Sequence, residues 1–246
     1  MEVPRADVEA LVREKYQGDR EAVGLVEDMA RLETGEPLAY VIGTQPFLGL
    51  SIGLASRPLI PRPETEWWTE LLCERIGDAP LRVLDLCAGS GAIGLAILKK
   101  CPNAQVSFGE LVPEHAEQIR VTMEANGLDV SRADMRAGDL FAPFPEERYD
   151  IIATNPPYIP AMRELGKEVA GFEPSEALYA GTDGLSVIQR ILEEVQQHLS
   201  DKGELWMECD IANIDTAAHL AMEAGAMRTT IRTDQYQRPR LLVSYY

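Results

Sequence analysis

Apolar residues recur at helical spacing twice near the N-terminus: Val8, Leu11, Val12 and Tyr16, then Val23, Leu25, Val26, Met29, Ala30 and Leu32 after Gly18-Asp19. The spacing predicts two helices over residues 5–33, closed by Gly35-Glu36-Pro37. Residues 38–60 lose that period. Their short β-like apolar runs, separated by turn formers, predict a hairpin connector. Pro61-Arg62-Pro63-Glu64-Thr65-Glu66 then precedes a helix running to about Arg75.

From residue 81 strands and helices alternate. Strands are predicted at 82–86, 104–111, 134–137 (weak), 149–154 and 204–209, with a closing pair at 227–233 and 241–245. Helices are predicted after Gly91 and over 113–126, 185–199 and 211–224. Such alternation implies an α/β fold with a mostly parallel sheet, helices on both faces. The short connection within the closing pair requires one of the seven strands to run antiparallel. Three units follow: helical residues 1–36, a connector at 37–62 and the sheet domain at 63–246.

Composition narrows the class. No stretch of ~18 apolar residues occurs, and the charged N-terminus lacks a signal-peptide core, so a cytoplasmic protein without a membrane partner is expected. Cys73, Cys87, Cys101 and Cys209 form no C-x-x-C pair and read as reduced thiols; with three histidines, no metal site is expected. The net charge of −17 and the lack of a basic run argue against direct nucleic-acid binding and favour a protein partner.

Asp85-Leu86-Cys87-Ala88-Gly89-Ser90-Gly91 occupies a strand-to-helix turn, where glycines let the backbone approach a ligand closely. Alone, such a turn could bind a dinucleotide, a nucleoside or nothing. Glu110 ends the second strand, where a carboxylate can accept from both ribose hydroxyls; Asp139 and Leu140 end the third, where an adenine would lie. Nothing basic stands by to meet phosphates, and a neutral-to-acidic pocket suits a sulfonium cation. Adenosine with a positive sulfur points to S-adenosyl-L-methionine.

Asn155-Pro156-Pro157-Tyr158 follows the fourth strand, expected beside the first. Two prolines make the loop stiff and extended, and leave carbonyls without competing N–H groups. The Asn155 side-chain oxygen and the Pro156 carbonyl can accept both N–H bonds of a planar –NH₂ group, and Tyr158 can stack on its face. The bland reading is a turn after a strand; the cofactor elements upstream weigh against it.

At this point the chain resembles the HemK-type N5-glutamine methyltransferases that modify peptide-chain release factors. The resemblance rests on residues 35–43 (GEPLAYVIG), 59–66 (LIPRPETE), Val83-Leu84-Asp85-Leu86, Gly89-Ser90-Gly91-Ala92-Ile93, residues 155–160 (NPPYIP), Glu173-Pro174 with Ala177-Leu178, Gly181-x-Asp183-Gly184-Leu185 and Arg238-Pro239-Arg240. It implies a class I methyltransferase: a Rossmann-like, seven-stranded, mostly parallel sheet with one antiparallel strand, a small N-terminal helical docking domain and a β-hairpin connector. It implies transfer to the glutamine amide of a release factor's Gly-Gly-Gln motif, by a monomer. Asp85, Cys87, Ala88, Gly89, Ser90, Gly91, Glu110, Asp139, Leu140 and Asn155 would line the cofactor. Asn155, Pro156 and Tyr158 would carry catalysis, and with Pro157 hold the glutamine, while Arg62 and Glu64 help close the site.

The chain departs from the family at three places. The section before Pro61 is short, Cys87 stands where Gly is common, and Glu208-Cys209-Asp210 replaces a Glu-hydrophobic-Gly strand end. Alternatives are glutamine methylation of a ribosomal protein, N6-adenine methylation of nucleic acid, and a catalytically silent scaffold. Trp67 and Trp68 read as helix packing, Tyr245 and Tyr246 as a strand end, and His115, His198 and His219 as surface or boundary residues.

Overall fold

The computed structural model describes residues 3–246. Helices α1 (Arg5–Tyr16) and α2 (Leu25–Glu33) lie where the spacing puts them, with Leu11, Leu32 and Val41 forming a small core of their own. Val23 and Val26 do not join it: Val23 precedes α2, and both are exposed. Leu38–Ile42 is a short helix, α3, and not a β-like run. Pro37 at its N-cap needs no N–H partner, and Gly43 ends it at φ 93. The hairpin is confined to β1 (Thr44–Phe47) and β2 (Leu50–Gly53), joined through Leu48 and Gly49, both at positive φ as a tight hairpin turn demands. Phe47, Leu50 and Ile52 pack into the main core.

A charge cluster fastens the N-terminal helices to the hairpin exit. Arg31 pairs with Asp28 and Glu36, and Glu36 pairs with Arg57. The Arg31 guanidinium, opposed by burial and aided by Arg57, holds the Glu36 carboxyl below its ordinary value. Such stabilisation is complete above the unfolded value of about 4.3 and disappears as pH falls through the lower folded value. Amide exchange in α1–α3 should therefore quicken below about pH 4.3 before the rest of the chain responds. Uniform acid sensitivity along the chain would refute a local fastening.

The remainder runs α4 (Pro63–Ile76), β3 (Arg82–Leu86), α5 (Ala92–Lys100), β4 (Gln105–Glu110), α6 (Pro113–Ala125), β5 (Ala133–Ala137), β6 (Tyr149–Thr154), α7 (Lys167–Ala170), α8 (Ser186–Glu194), β7 (Leu199–Glu208), α9 (Ile214–Glu223), β8 (Arg228–Thr233) and β9 (Pro239–Tyr245). The seven strands β3–β9 form one sheet in the order β5-β4-β3-β6-β7-β9-β8, and β9 runs antiparallel to both neighbours. Successive strand residues serve opposite faces: Val83 and Ile151 join Trp68, Ile93 and Ile97, whereas Leu84 and Ile152 join Ile188, Ile191 and Ala217. The helix expected over 185–199 tightens at Val195–His198 into a 3₁₀ turn, and β7 begins earlier than residue 204, at Leu199. A register shift against β6 between Tyr149 and Ile151 absorbs the extra residues.

From β3 the chain moves outward through β4 and β5, then returns to β6 on the other side. That reversal opens a crevice at the carboxyl ends of β3 and β6, where open α/β sheets bind ligands. Leu86 pairs with Thr154 and Thr154 with Met207. Cys87, Asn155 and Glu208 therefore leave three adjacent strands side by side.

Candidate active site

Cys87, Ala88, Gly89 and Ser90 line one cleft at this edge, together with Glu110, Asp139, Leu140, Asn155 and Pro157. Cys87 and Leu140 take left-handed conformations, φ 57 and 47. This explains why glycine is at home at the Cys87 position, and strain of this kind gathers at ligand-binding turns. Burial, then the charge of Glu110, pushes the Cys87 thiol up to about 12, so it stays protonated and is no nucleophile. Glu110 is buried. Its Oε2 accepts from Gly89 N at 2.6 Å and its Oε1 from Val112 N at 3.0 Å, which leaves one lone pair on each oxygen for a ligand hydroxyl.

Asp85 and Gly91 lie beneath the cleft and do not line it. Asp85 is fully buried, and its Oδ2 accepts from Gly94 N at 2.8 Å, pinning the first turn of α5. Burial pushes this carboxyl well above its ordinary range, opposed by the Gly94 N–H. Its Oδ1 has no partner among the described residues. Gly91 is at φ 76, and a Cβ there would meet Ile119 Cγ1 at 2.7 Å.

The cleft also holds residues that sequence reasoning missed. Arg190 is a basic group at the rim, but Asp139 takes its charge at 2.7 Å, so the pocket remains neutral to acidic. His115 is buried and lines the cleft, with Nδ1 3.0 Å from Ser56 Oγ; it is not a surface residue. His198 is buried too, stacked on Phe141 at 4.3 Å. Of the three histidines only His219 is exposed, beside Glu223.

Arg62 and Glu64 do not line the cleft either. Arg62 donates to Glu173 at 2.6 Å, and the same buried carboxylate accepts from Ile60 N at 3.2 Å. This fastens to the connector's end the segment whose Pro174, Glu176 and Ala177 form one wall. Glu64 pairs with Arg238 from the β8–β9 turn. Asp210 grips Arg163 through two bonds of 2.7 and 3.0 Å and accepts from Ala212 N ahead of α9. Asn213 donates to the carbonyls of Tyr158 (3.1 Å) and Gly184 (3.4 Å), so the 155–158 loop is tied at its far end to the glycine motif.

Within the loop Pro156 is buried, and Tyr158 turns its hydroxyl to Glu208 Oε1 at 3.0 Å. Glu208 is buried, and its Oε2 accepts from Thr65 Oγ1 at 2.7 Å and Trp68 Nε1 at 2.8 Å. Trp68 thus packs the core as expected and carries a polar task besides. Asn155 Nδ2 donates to Thr65 Oγ1 at 3.3 Å.

A sheet with β9 reversed between β7 and β8, and a cleft at the β3–β6 switch point, define a class I methyltransferase. Residues 65–170 match the family model described as methyltransferase small domain. The fold is shared with a methyltransferase from Pyrococcus furiosus (TM-score 0.59, 16% identity, 89% of this chain and 98% of that one). It is shared also with a Thermus thermophilus 16S rRNA N2 G1207 methyltransferase solved with AdoMet and guanosine (TM-score 0.56, 22% identity, 82% and 49%).

The chain belongs to the release factor glutamine methyltransferase family. It is 35% identical over 196 residues to the member from Thermodesulfovibrio yellowstonii, across 77% of this chain and 69% of that one. With the member from Mycolicibacterium smegmatis it shares 31% over 258 residues, across 98% and 90%. The alignment with the Streptococcus pneumoniae member, 37% identical, spans 74% of this chain and 65% of that one.

Proposed function

We infer that the chain transfers a methyl group from S-adenosyl-L-methionine to the N5 amide nitrogen of the glutamine in a release factor's Gly-Gly-Gln motif. The observation that carries this reading is the pairing of Leu86 with Thr154, which sets the cofactor turn and the Asn155 loop side by side at one cleft. The donor set fits such a cofactor. Glu110 keeps lone pairs for ribose hydroxyls, the Arg190 guanidinium at the rim is already neutralised by Asp139, and Gly89 has open space where a Cβ would stand. When bound, the cofactor supplies an electrophilic methyl on a sulfonium.

The rest of the work falls to this chain's residues. An amide nitrogen is a weak nucleophile because its lone pair is delocalised. Asn155 Oδ1 and the Pro156 carbonyl accept its N–H bonds and hold it in line for attack. Both acceptors strengthen as the nitrogen gains positive charge, and the methylated nitrogen then sheds one of its two protons to solvent, which restores the neutral amide. Tyr158 supports the flat group, and Pro157 keeps the loop stiff. Arg62 acts at one remove, by holding one wall through Glu173, while Glu64 steadies the start of α4 by its pair with Arg238. Residues 1–36 serve as the docking unit and 37–62 as the connector of the 63–246 catalytic domain. The enzyme works as a cytoplasmic monomer on a protein partner; among the described residues no helix is long and apolar enough to cross a membrane.

Labelled methyl transfer tests this. Label should enter purified release factor and not its Gln→Ala variant. Label in ribosomal protein or nucleic acid instead would overturn the substrate, and cofactor binding with no transfer to any of them would favour a scaffold.

A further inference from the structure

Planar amides can be held either way round, and only one orientation of Asn155 suits the reading above. With Oδ1 towards the cleft the side chain accepts from a substrate –NH₂; turned over, it offers a donor where another donor already points. The loop's backbone does not decide between the two, because an amide flip leaves φ and ψ untouched. The decision lies on the side of Asn155 facing away from the substrate.

There Asn155 meets the Thr65 hydroxyl, from the first turn of α4, at 3.3 Å. A hydroxyl could donate or accept, but this one is committed. Its hydrogen goes to Glu208 Oε2 at 2.7 Å, an oxygen that also takes the Trp68 indole N–H at 2.8 Å. The indole N–H can only donate, so that carboxylate oxygen remains an acceptor and keeps the Thr65 hydrogen. Thr65 Oγ1 is left with lone pairs for Asn155. A flipped Asn155 would set its carbonyl oxygen against that oxygen with no hydrogen between them, inside a site where an unmade bond is costly.

We propose that Thr65, held by Glu208, is a positioning residue that fixes the Asn155 amide with its oxygen facing the substrate, and so makes the site accept a glutamine amide and reject a glutamate carboxylate. This rests on the glutamine-methylating reading. Two carboxylate oxygens offer no hydrogen to Asn155 Oδ1, whereas a freely turning Asn155 could present Nδ2 to them.

The test compares inhibition by a peptide bearing Gly-Gly-Glu with methylation of one bearing Gly-Gly-Gln, at a pH where the glutamate is ionised. The wild type should favour the glutamine peptide. Thr65→Val, which keeps the volume and removes the hydroxyl, should lower kcat for it while Gly-Gly-Glu binding tightens, so that discrimination falls on the order of tenfold. Thr65→Ser should restore the preference, and Thr65→Ala, which adds no methyl against Trp68, gives a second variant should the valine not fold. Equal weakening of both peptides, or a serine variant behaving like the valine, would overturn the proposal. Absence of methylation of the glutamine peptide and of whole release factor by the wild type would instead overturn the functional reading.

Discussion

Asn155→Ala should lower kcat by about 10²–10³-fold while changing cofactor affinity only a few-fold, the scale seen when one preorganised partner of a developing charge is removed. Asn155 lines the cofactor cleft, so some loss of binding is expected. The larger loss belongs to the transition state, because the bond from the substrate nitrogen to Oδ1 strengthens only as that nitrogen becomes cationic. Single-turnover rates at saturating cofactor, set beside a cofactor Kd from calorimetry, separate the two. Losses of equal size would mean that Asn155 holds the cofactor and contributes nothing further to the chemistry.

The features most legible in the sequence are those whose cause is local. The strand at Arg82–Leu86 reads from five residues because all but Arg82 are buried, with Val83 filling one face and Leu84 and Leu86 the cluster that covers the other. The stiff loop at 155–158 reads from its prolines. The helix at Leu38–Ile42 was not legible, since five apolar residues fit either period and the decision came from Pro37 and Gly43 at its ends. Val23 and Val26 follow helical spacing, yet α2 begins at Leu25 and turns other residues inward.

In the site, the turn after β3 could be read because the residues with which it lines the cleft, 87–90, are consecutive. The apparatus behind Asn155 could not. Thr65, Trp68 and Glu208 come together from separations of 140 residues or more between strand and helix. The one available signal was Glu208 itself, an acidic residue at the end of β7 in a run otherwise apolar from Leu205 to Cys209. A buried charge in such a run requires several donors, and where those donors come from is a question for the fold alone. Arg62 and Glu64 show the converse: their motif marked them for the site, but it is Leu59, Pro61 and Thr65 around them that line the cleft.

That carboxylate gives the second large effect. Glu208→Leu should cost about 3–5 kcal/mol of stability, because the Thr65 hydroxyl, the Trp68 indole and the Tyr158 hydroxyl would all lose their buried acceptor together. At about 2–4 °C per kcal/mol for a chain near this size, the melting temperature should fall by roughly 10 °C. Glu208→Gln should behave differently. Its carboxamide oxygen can still accept from Thr65 and Trp68, and its –NH₂ can donate to the Tyr158 oxygen, so two bonds survive and the third reverses, leaving only the Tyr158 hydrogen without its acceptor. Burial raises the Glu208 carboxyl above its ordinary value, and the three donors pull it only part of the way back. A raised carboxyl keeps its proton in the folded state after the unfolded chain has lost its own at about 4.3, so wild-type stability declines as pH rises through that window and then levels off. The glutamine variant lacks this decline and should gain on the wild type as pH rises above about 4.3, until the folded carboxyl has also lost its proton. Denaturant titrations of both proteins across that range would show a widening gap, and a constant gap would mean that the buried carboxyl titrates alike in both states.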